Sequence, residues 1–254
     1  MSYFIEPRSV DNYLSGICSE LENFFPDVRN IRKEALVSKT MQGCKRLRSK
    51  GVKRKAPLTP DDLITAVLTA DLNNYDNLLF IAQLVTGFNA LMRLSELAWP
   101  DNRSLQDYRK LVLRQTVTVE DDTYEFHLPS HKADASFRGN RILVARENGT
   151  ANPHFLFTQY LNKRDTAFPF NPELWLKSNG TQPTRKWFLE NLTRLFPQNV
   201  AGQSMRSGGA TALACKGTPP HLIQATGRWS SEAFQIYIRA HPTLLAGLVH
   251  SKQP

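Results

Sequence analysis

The stretch Leu91-Met92-Arg93-Leu94-Ser95-Glu96-Leu97 places an arginine among apolar residues, near the end of a segment whose pattern predicts a buried helix. A buried guanidinium group is unfavourable unless it is paired. Glu96 follows Arg93 by three residues, which puts both side chains on one face of a helix. The two residues therefore either form a structural ion pair, or the Glu96 carboxylate orients Arg93 so that its guanidinium can bind a phosphate in bidentate fashion.

On its N-terminal side, this stretch is preceded by a strong helix start. Thr59 is a favourable N-cap, Pro60 suits the first turn, and Asp62 is an acidic residue at the third helical position. The helical pattern continues from there to about Leu97. Its most regular part is an apolar stripe that leads to the arginine and is expected to be buried: Leu78, Leu79, Ala82, Val85 and Thr86.

On its C-terminal side, alternating apolar and polar residues predict three strands, at 112–119, 124–128 and 142–144. Lys132 lies between the second and the third, where Gly139 and Asn140 suit a hairpin connection. A lysine in a hairpin is usually exposed to solvent. The tip of a hairpin can also project a lysine into a groove, where it could protonate a leaving alkoxide.

Helical patterns return after the predicted sheet. They are Pro153–Asn162, Thr184–Phe196, Gly202–Cys215, Thr218–Thr226, a short helix after Ser230 or Ser231, and a final apolar segment, Leu244–Val249. The sequence therefore predicts a mainly α fold with a small three-stranded antiparallel β-sheet.

Two of these helical segments contain further candidate functional residues. Arg206 is followed by small residues, which allow a helix to pack closely or a backbone to approach a ligand. Tyr237 shares a helical face with apolar neighbours, so it could simply be a core residue. A tyrosine can also act as a nucleophile where nearby cations stabilise its phenolate.

The net charge of +9 is unevenly distributed. Residues 1–60 contain 12 Lys or Arg and 6 Asp or Glu, and therefore carry +6. The densest part has seven basic residues in eleven: Lys45, Arg46, Arg48, Lys50, Lys53, Arg54 and Lys55. The segment is consistent with a solvated flexible linker that has no further role. It is also consistent with a nuclear-localisation signal or with a connector that follows DNA phosphates, and one segment can serve as both. We expect it to bind DNA and the protein to be nuclear.

Residues 1–55 have helical patterns at 10–25 and at about 30–47, but they are too few for a large core. We expect a small helical module, either whole or the remainder of a longer one, followed by a second domain at 56–254. No apolar run is long enough to predict a membrane span. The three cysteines form neither a metal-binding spacing nor a disulfide framework, and no metal or cofactor site is predicted.

Taken in order, these motifs resemble the catalytic domain of the tyrosine recombinases, the phage-integrase-like enzymes that break and rejoin DNA. The motifs are an arginine in R-x-x-E, a lysine in a β-hairpin, an arginine before a helix of small residues, Gly-x-[His/Trp], and a tyrosine about eight residues later. The resemblance covers about residues 56–240, and residues 1–55 resemble the end of the helical core-binding domain that usually precedes it. The segments 202–211 and 227–237 are also similar to Crypton-like recombinases of mushroom-forming fungi.

The resemblance implies a mechanism. Tyr237 would attack the scissile phosphodiester and form a 3′-phosphotyrosyl bond, which leaves a free 5′-hydroxyl. Arg93 and Arg206 would neutralise the non-bridging oxygens, and Lys132 would protonate the departing 5′-oxygen. Trp229 would donate its indole N–H to a phosphate oxygen. The resemblance also implies that no metal ion or other cofactor is required.

One position departs from the family pattern. Gln203 stands three residues before Arg206, where the family usually has histidine. An amide can donate a hydrogen bond to a phosphate but cannot exchange a proton near neutral pH, so we expect reduced activity rather than none. His131 is a candidate source of general-base help. His131 and Arg228 are also candidate DNA contacts, and Glu96 is a candidate support for Arg93.

The implied partner is double-stranded DNA, with self-association on DNA into a dimer or tetramer through the C-terminal segment. The same segment could instead pack on its own domain. The leading function is that of a site-specific recombinase or mobile-element integrase. Two alternatives stay open: a DNA-binding relative with impaired catalysis, and a nicking–closing enzyme similar to type IB topoisomerases. A basic helical protein that binds another polyanion would require the ordered motifs to be accidental.

Overall fold

The computed structural model describes residues 3–50, 55–130, 139–196 and 199–230. The chain divides into two compact units, Met1–Arg54 and Lys55–Pro254. The functional roles predicted for the two parts of the chain stay predictions.

The described residues of the first unit, 3–50, form three helices: α1 (Pro7–Leu21), α2 (Val28–Lys33) and α3 (Ala35–Arg48). The single second helix predicted at about 30–47 is wrong, because Glu34 has an extended backbone (φ −55°, ψ 150°) that ends α2 and begins α3. Asp11 of α1 joins the three helices, since it accepts hydrogen bonds from Arg32 and Lys45, each at 2.8 Å. These hydrogen bonds lower the pKa of the Asp11 carboxyl.

The core of the second unit is built on α4 (Pro60–Thr69) and α5 (Tyr75–Asn89). The predicted helix start is confirmed: the Thr59 hydroxyl accepts a hydrogen bond from the Asp62 N–H at 3.1 Å, and the Asp62 carboxylate accepts one from the Thr59 N–H at 2.7 Å. The predicted apolar stripe is also buried. From Leu78 to Phe88 every residue of α5 is buried, so this helix is the centre of the domain rather than a surface helix.

The sheet has the antiparallel order β1 (Thr118–Val119), β2 (Thr123–Leu128) and β3 (Asn140–Ala145). The predicted first strand is wrong for residues 112–117, where Arg114–Thr116 form a 3-10 turn and Leu113 makes an isolated antiparallel bridge to Glu173. The backbone before that turn bonds elsewhere, because Val112 accepts from the Leu174 N–H at 2.9 Å. A strand cannot extend where its backbone groups already have other partners.

The remaining described helices are α6 (Leu94–Leu97), α7 (Pro153–Ala167), α8 (Arg185–Leu195), α9 (Gln203–Cys215) and α10 (Pro220–Thr226). The helix α7 covers the buried face of the sheet, where the rings of Tyr124 and Phe157 stack with centroids 3.9 Å apart. The prediction of a mainly α fold with a small three-stranded antiparallel sheet is confirmed.

The helix α9 packs with direct backbone contact against the core. A Cβ atom on Gly208 would lie 2.0 Å from the carbonyl oxygen of Leu58, and one on Gly209 would lie 2.0 Å from that of Phe88. Both separations are too short for any side chain. Of the two roles that the small residues after Arg206 allowed, close packing of the helix is the one observed at Gly208 and Gly209.

At the far end of α7 lies a buried arginine, Arg164, which is 1% exposed. Its Nη1 donates to the Phe168 carbonyl and to the Asp165 carboxylate, each at 2.9 Å. Its Nη2 donates to the carbonyls of Asn171 and Glu173, and its Nε donates to Glu173 as well. All five N–H groups of this guanidinium are thus used, four of them on carbonyls of the segment that follows α7 and one on Asp165 within α7.

Within the described parts of the chain, no helix is long and apolar enough to cross a membrane. Those same parts bring together no group of three His, Cys, Asp or Glu side chains that could hold a metal ion.

Candidate active site

The turn between α5 and α6 positions Arg93. Leu91 has a left-handed backbone (φ 50°), and the Met92 N–H donates back to the Gly87 carbonyl at 2.8 Å, which ends α5. Arg93 then has an extended conformation (φ −81°, ψ 150°) as the N-cap of α6. The expectation that Arg93 lies within a helix is therefore wrong, because the left-handed residue separates it from α5.

Glu96 holds Arg93 at both ends of the residue. Its Oε2 accepts from the Arg93 backbone N–H at 2.9 Å, and its Oε1 accepts from the Arg93 guanidinium at 3.0 Å. The Glu96 side chain is only 3% exposed, whereas that of Arg93 is 24% exposed. The carboxylate is thus inside the protein and the guanidinium extends from it toward the surface, an arrangement suited to binding an anion.

Arg206, in the second turn of α9, is 5% exposed. Its Nη1 donates to the Leu91 carbonyl at 2.6 Å, and its Nη2 donates to the Gly227 carbonyl. Its guanidinium lies over the Trp229 ring, 4.2 Å from the ring centroid, which is a cation–π distance. Arg206 therefore joins the turn before α6 to the turn after α10.

The turn after α10 places Trp229 against Gly227. A Cβ atom on Gly227 would lie 1.8 Å from the indole, so no other residue permits this position of the ring. The backbone N–H of Trp229 donates to the Gln224 carbonyl at 3.1 Å, and the side-chain amide of Gln224 donates to the Trp229 carbonyl at 3.2 Å. The structure thus brings four of the predicted site residues into one neighbourhood: Arg93, Glu96, Arg206 and Trp229.

Solved structures share this architecture. XerA recombinase aligns with 98% of this chain and 84% of its own length, with a TM-score of 0.59 and 16% identity. The Tn1549 transposon integrase in complex with circular intermediate DNA aligns with 98% of this chain and 80% of its own length, with a TM-score of 0.60 and 16% identity. The chain has the tyrosine recombinase fold.

A third example is XerH site-specific recombinase bound to its difH substrate, which aligns with 98% of this chain and 72% of its own length, at a TM-score of 0.55 and 13% identity. No protein-family model and no curated protein sequence matches the chain. The likeness is thus one of three-dimensional structure at low sequence identity.

Within the tyrosine recombinase fold, Gln203 is the first residue of α9 and is exposed to solvent. It precedes Arg206 by three residues, so one turn of helix separates the two, and both lie on neighbouring parts of the same face. The proton-transfer consequence of having an amide here stays a prediction.

Several predicted residues lie outside the described residues: His131, Lys132, Tyr237, Lys53, Arg54 and the segment 244–249. The two strands that the predicted hairpin joins are described, with Leu128 paired to Asn140. Lys132 lies between these strands in the sequence, and its place at the tip of a hairpin stays a prediction.

The remaining predicted DNA contacts of the basic segment differ in their surroundings. Lys45 forms an ion pair with Asp11, and Arg48 lies 5.0 Å from the ring centroid of Tyr3. The others are exposed to solvent: Arg46, Lys50 and Lys55. Their contact with DNA stays a prediction.

Sequence reasoning missed one participant in the site. Arg228 was a candidate DNA contact, but its side chain is 7% exposed and forms an ion pair with Glu96 at 2.9 Å. Its backbone is left-handed (φ 54°), a conformation in which glycine is usual and arginine is not. No signal in a single sequence marks an arginine that adopts this conformation.

Proposed function

We propose that this chain is a tyrosine recombinase that cleaves and rejoins double-stranded DNA, as a site-specific recombinase or integrase. The observation that carries the proposal is the pair of arginines, Arg93 and Arg206, held by Glu96 and by the Leu91 carbonyl within one neighbourhood of the recombinase fold. Two guanidinium groups fixed in this way can neutralise charge that develops on a phosphate in the transition state. Fixed cations need no rearrangement during the reaction, which is the source of their effect.

The proposed reaction has two steps. The Tyr237 hydroxyl loses its proton to water, its oxygen attacks phosphorus, the bond from phosphorus to the 5′-oxygen breaks, and Lys132 gives that oxygen a proton. A 5′-hydroxyl then returns a proton to Lys132 as its oxygen attacks phosphorus, the bond from phosphorus to the Tyr237 oxygen breaks, and that oxygen takes up a proton from water. The phosphoester energy is retained in the covalent intermediate, and Trp229 forms one wall of the phosphate site beside Arg206.

The alternative of a DNA-binding protein with impaired catalysis is favoured by one observation. Gln203 occupies the exposed first position of α9, one turn before Arg206, and an amide cannot act there as a general acid or base. We propose that Gln203 donates a hydrogen bond to the phosphate and that the enzyme is slowed rather than inactive.

The proposal also covers the location of the enzyme, its DNA contacts outside the active site and its self-association. The basic residues Arg46, Arg48 and Lys50 support a DNA contact by the first unit and entry into the nucleus. The similarity to fungal Crypton-like recombinases supports a mobile-element origin. Self-association on DNA distinguishes a recombinase from a type IB topoisomerase-like enzyme, which works as a monomer.

The decisive experiment traps covalent adducts. The full chain and Tyr237→Phe are incubated with a pool of nicked suicide duplexes of random sequence, and adducts are detected on denaturing gels. We expect a phosphotyrosyl adduct with the wild-type chain and none with Tyr237→Phe, while both bind DNA equally. Adducts from both proteins, or from neither while DNA binding is intact, contradict the assignment.

A further inference from the structure

Two turns of the second unit contain a non-glycine residue in the left-handed conformation beside the candidate active site. They are Leu91 (φ 50°), before α6, and Arg228 (φ 54°), after α10. Side chains disfavour this conformation, so it persists only where surrounding contacts enforce it. The contacts that the two turns make with each other are therefore expected to be strong.

The guanidinium of Arg228 links the two turns. Its Nη2 donates to the Glu96 carboxylate at 2.9 Å and its Nη1 donates to the Thr226 carbonyl at 3.0 Å. Longer contacts join Nη1 to the Ala90 carbonyl at 3.3 Å and Nη2 to the Leu91 carbonyl at 3.4 Å. Its Nε is buried and has no hydrogen-bond partner among the described residues. The Arg228 side chain is 7% exposed, against 24% for Arg93, so Arg228 presents less of its guanidinium to a ligand than Arg93 does.

Electrostatics explains why this buried cation is tolerated. Burial lowers the pKa of the Arg228 guanidinium, the charge and hydrogen bond of Glu96 oppose that shift, and the nearby Arg93 charge adds to it. Glu96 is therefore shared by two arginines, since its Oε1 accepts from Arg93 and its Oε2 accepts from Arg228. Without Arg228, one side of this carboxylate would lose its cation.

We propose that Arg228 is a positioning residue, which fixes the Glu96 carboxylate and through it the orientation of the Arg93 guanidinium toward the scissile phosphate. The proposal rests on the proposed function and gives Arg228 a role inside the protein in place of the DNA contact predicted from sequence. Arg228 and Arg206 then act as a pair of cross-links between the same two turns, because both donate to the Leu91 carbonyl.

The test uses two variants that remove the guanidinium in different ways. Arg228→Gly removes the side chain but also relieves the strained backbone, since glycine adopts a positive φ freely. Arg228→Met keeps an apolar side chain of similar length. Arg114→Met is the matched control, because Arg114 pairs with Asp165 at 2.7 Å elsewhere in the same unit. Melting temperatures and DNA affinity are measured for every variant.

Cleavage is compared on two suicide duplexes that differ only at the scissile group. One has an ordinary phosphodiester and the other a methylphosphonate, in which a methyl group replaces a non-bridging oxygen and removes the negative charge. On the phosphodiester we expect Arg228→Gly and Arg228→Met to cleave about 10²-fold more slowly than wild type, with unchanged DNA affinity. On the methylphosphonate, where Arg93 has no charge to neutralise, we expect both to approach the wild-type rate, as Arg93→Ala should.

Other outcomes overturn the positioning role. Equal slowing on both substrates indicates a structural defect alone, and weaker DNA binding with normal cleavage of bound DNA indicates a direct DNA contact. A wild-type rate of cleavage in both variants removes any role in the reaction.

A readout independent of cleavage separates this proposal from the proposed function. A double-mutant cycle is built from the unfolding free energies of Glu96→Gln, Arg228→Met and the double variant. A control cycle replaces Arg228→Met by Arg114→Met. We expect coupling in the first cycle and additivity in the control. If the wild-type chain forms no adduct, the proposed function fails, and coupling still supports the link between Arg228 and Glu96. Additivity in the first cycle overturns that link whatever the cleavage result.

Discussion

Arg164 and Arg206 are both buried in the second unit, at 1% and 5% exposure, but they are held in different ways. Arg164 donates to an adjacent carboxylate and to carbonyls of the one segment that follows α7, and these contacts use all five of its N–H groups. Arg206 donates to carbonyls of two turns that are 136 residues apart in sequence, at Leu91 and Gly227, and faces the Trp229 ring.

This difference separates a structural arginine from a candidate functional one. A guanidinium saturated by one local segment holds that segment and has no donor left for a ligand. A guanidinium that joins distant turns beside an aromatic wall can create a site between them. Burial alone therefore does not distinguish a functional arginine from a structural one. Whether its hydrogen-bond partners lie in one local segment or in turns far apart in sequence does distinguish them.

The largest expected effect is a loss of cleavage on substitution of Arg206. Arg206→Lys keeps the charge but cannot make the same fork of hydrogen bonds, so we expect cleavage to fall about 10²–10³-fold. The matched variant Arg164→Lys should retain a cleavage rate close to wild type per folded molecule. Single-turnover cleavage of a suicide duplex measures both, and similar losses in the two variants would contradict the assignment of Arg206 to the active site and Arg164 to the structure.

The next effect concerns stability at Arg164. Arg164→Met leaves the carbonyls of Phe168, Asn171 and Glu173 buried without their donor, so we expect a loss of about 3 kcal/mol in the free energy of unfolding. Cleavage per folded molecule should not change. Urea titration followed by circular dichroism measures the loss, and a stability equal to wild type would contradict the structural role.

A smaller effect on cleavage is expected at Gln203, one turn before Arg206. Gln203→His restores a group that can transfer a proton one turn before Arg206, so we expect cleavage to rise about tenfold. The rate should also acquire a pH dependence near the pKa of histidine, while Gln203→Asn should not show one. A slower Gln203→His enzyme would mean that the amide is matched to this site.

The smallest effect concerns Asp165, the carboxylate beside Arg164. Burial raises the pKa of Asp165, but hydrogen bonds from Arg114 and Arg164 outweigh it and leave the pKa below its usual value. The ionised group therefore adds stability at neutral pH, which is lost as the pH falls below about 4. Because Asp165 is partly exposed, we expect Asp165→Asn to lose less than about 1 kcal/mol at neutral pH. Urea titrations at neutral pH and below about pH 4 measure the difference in unfolding free energy between wild type and Asp165→Asn. A difference of the same size at the two pH values would contradict this role of the ionised carboxylate.

The sequence predicted those parts of the fold that depend on local chemistry. The Thr59 cap, the buried stripe of α5 and the strands β2 and β3 follow from capping and periodicity, and the structure confirms them. The predicted strand at 112–117 failed because the backbone there bonds to residues 172–174, a partner that no local pattern indicates.

The candidate site was predictable as a set of residues but not as a geometry. The order of the motifs selected Arg93, Glu96, Arg206 and Trp229, and the structure places them together. The left-handed conformation of Arg228 and its ion pair with Glu96 depend on the meeting of two turns that are far apart in sequence. Such a contact forms only in the tertiary structure and produces no periodic pattern in the sequence.

The two glycines of α9 have a consequence for how the domain can change by mutation. Because the backbone of α9 touches the carbonyls of Leu58 and Phe88 directly, no side chain sets the distance between them. Substitutions of side chains in the surrounding core should therefore leave the position of Arg206 unchanged. A laboratory lineage that exchanges core side chains should keep Arg206 in place for as long as Gly208 and Gly209 persist.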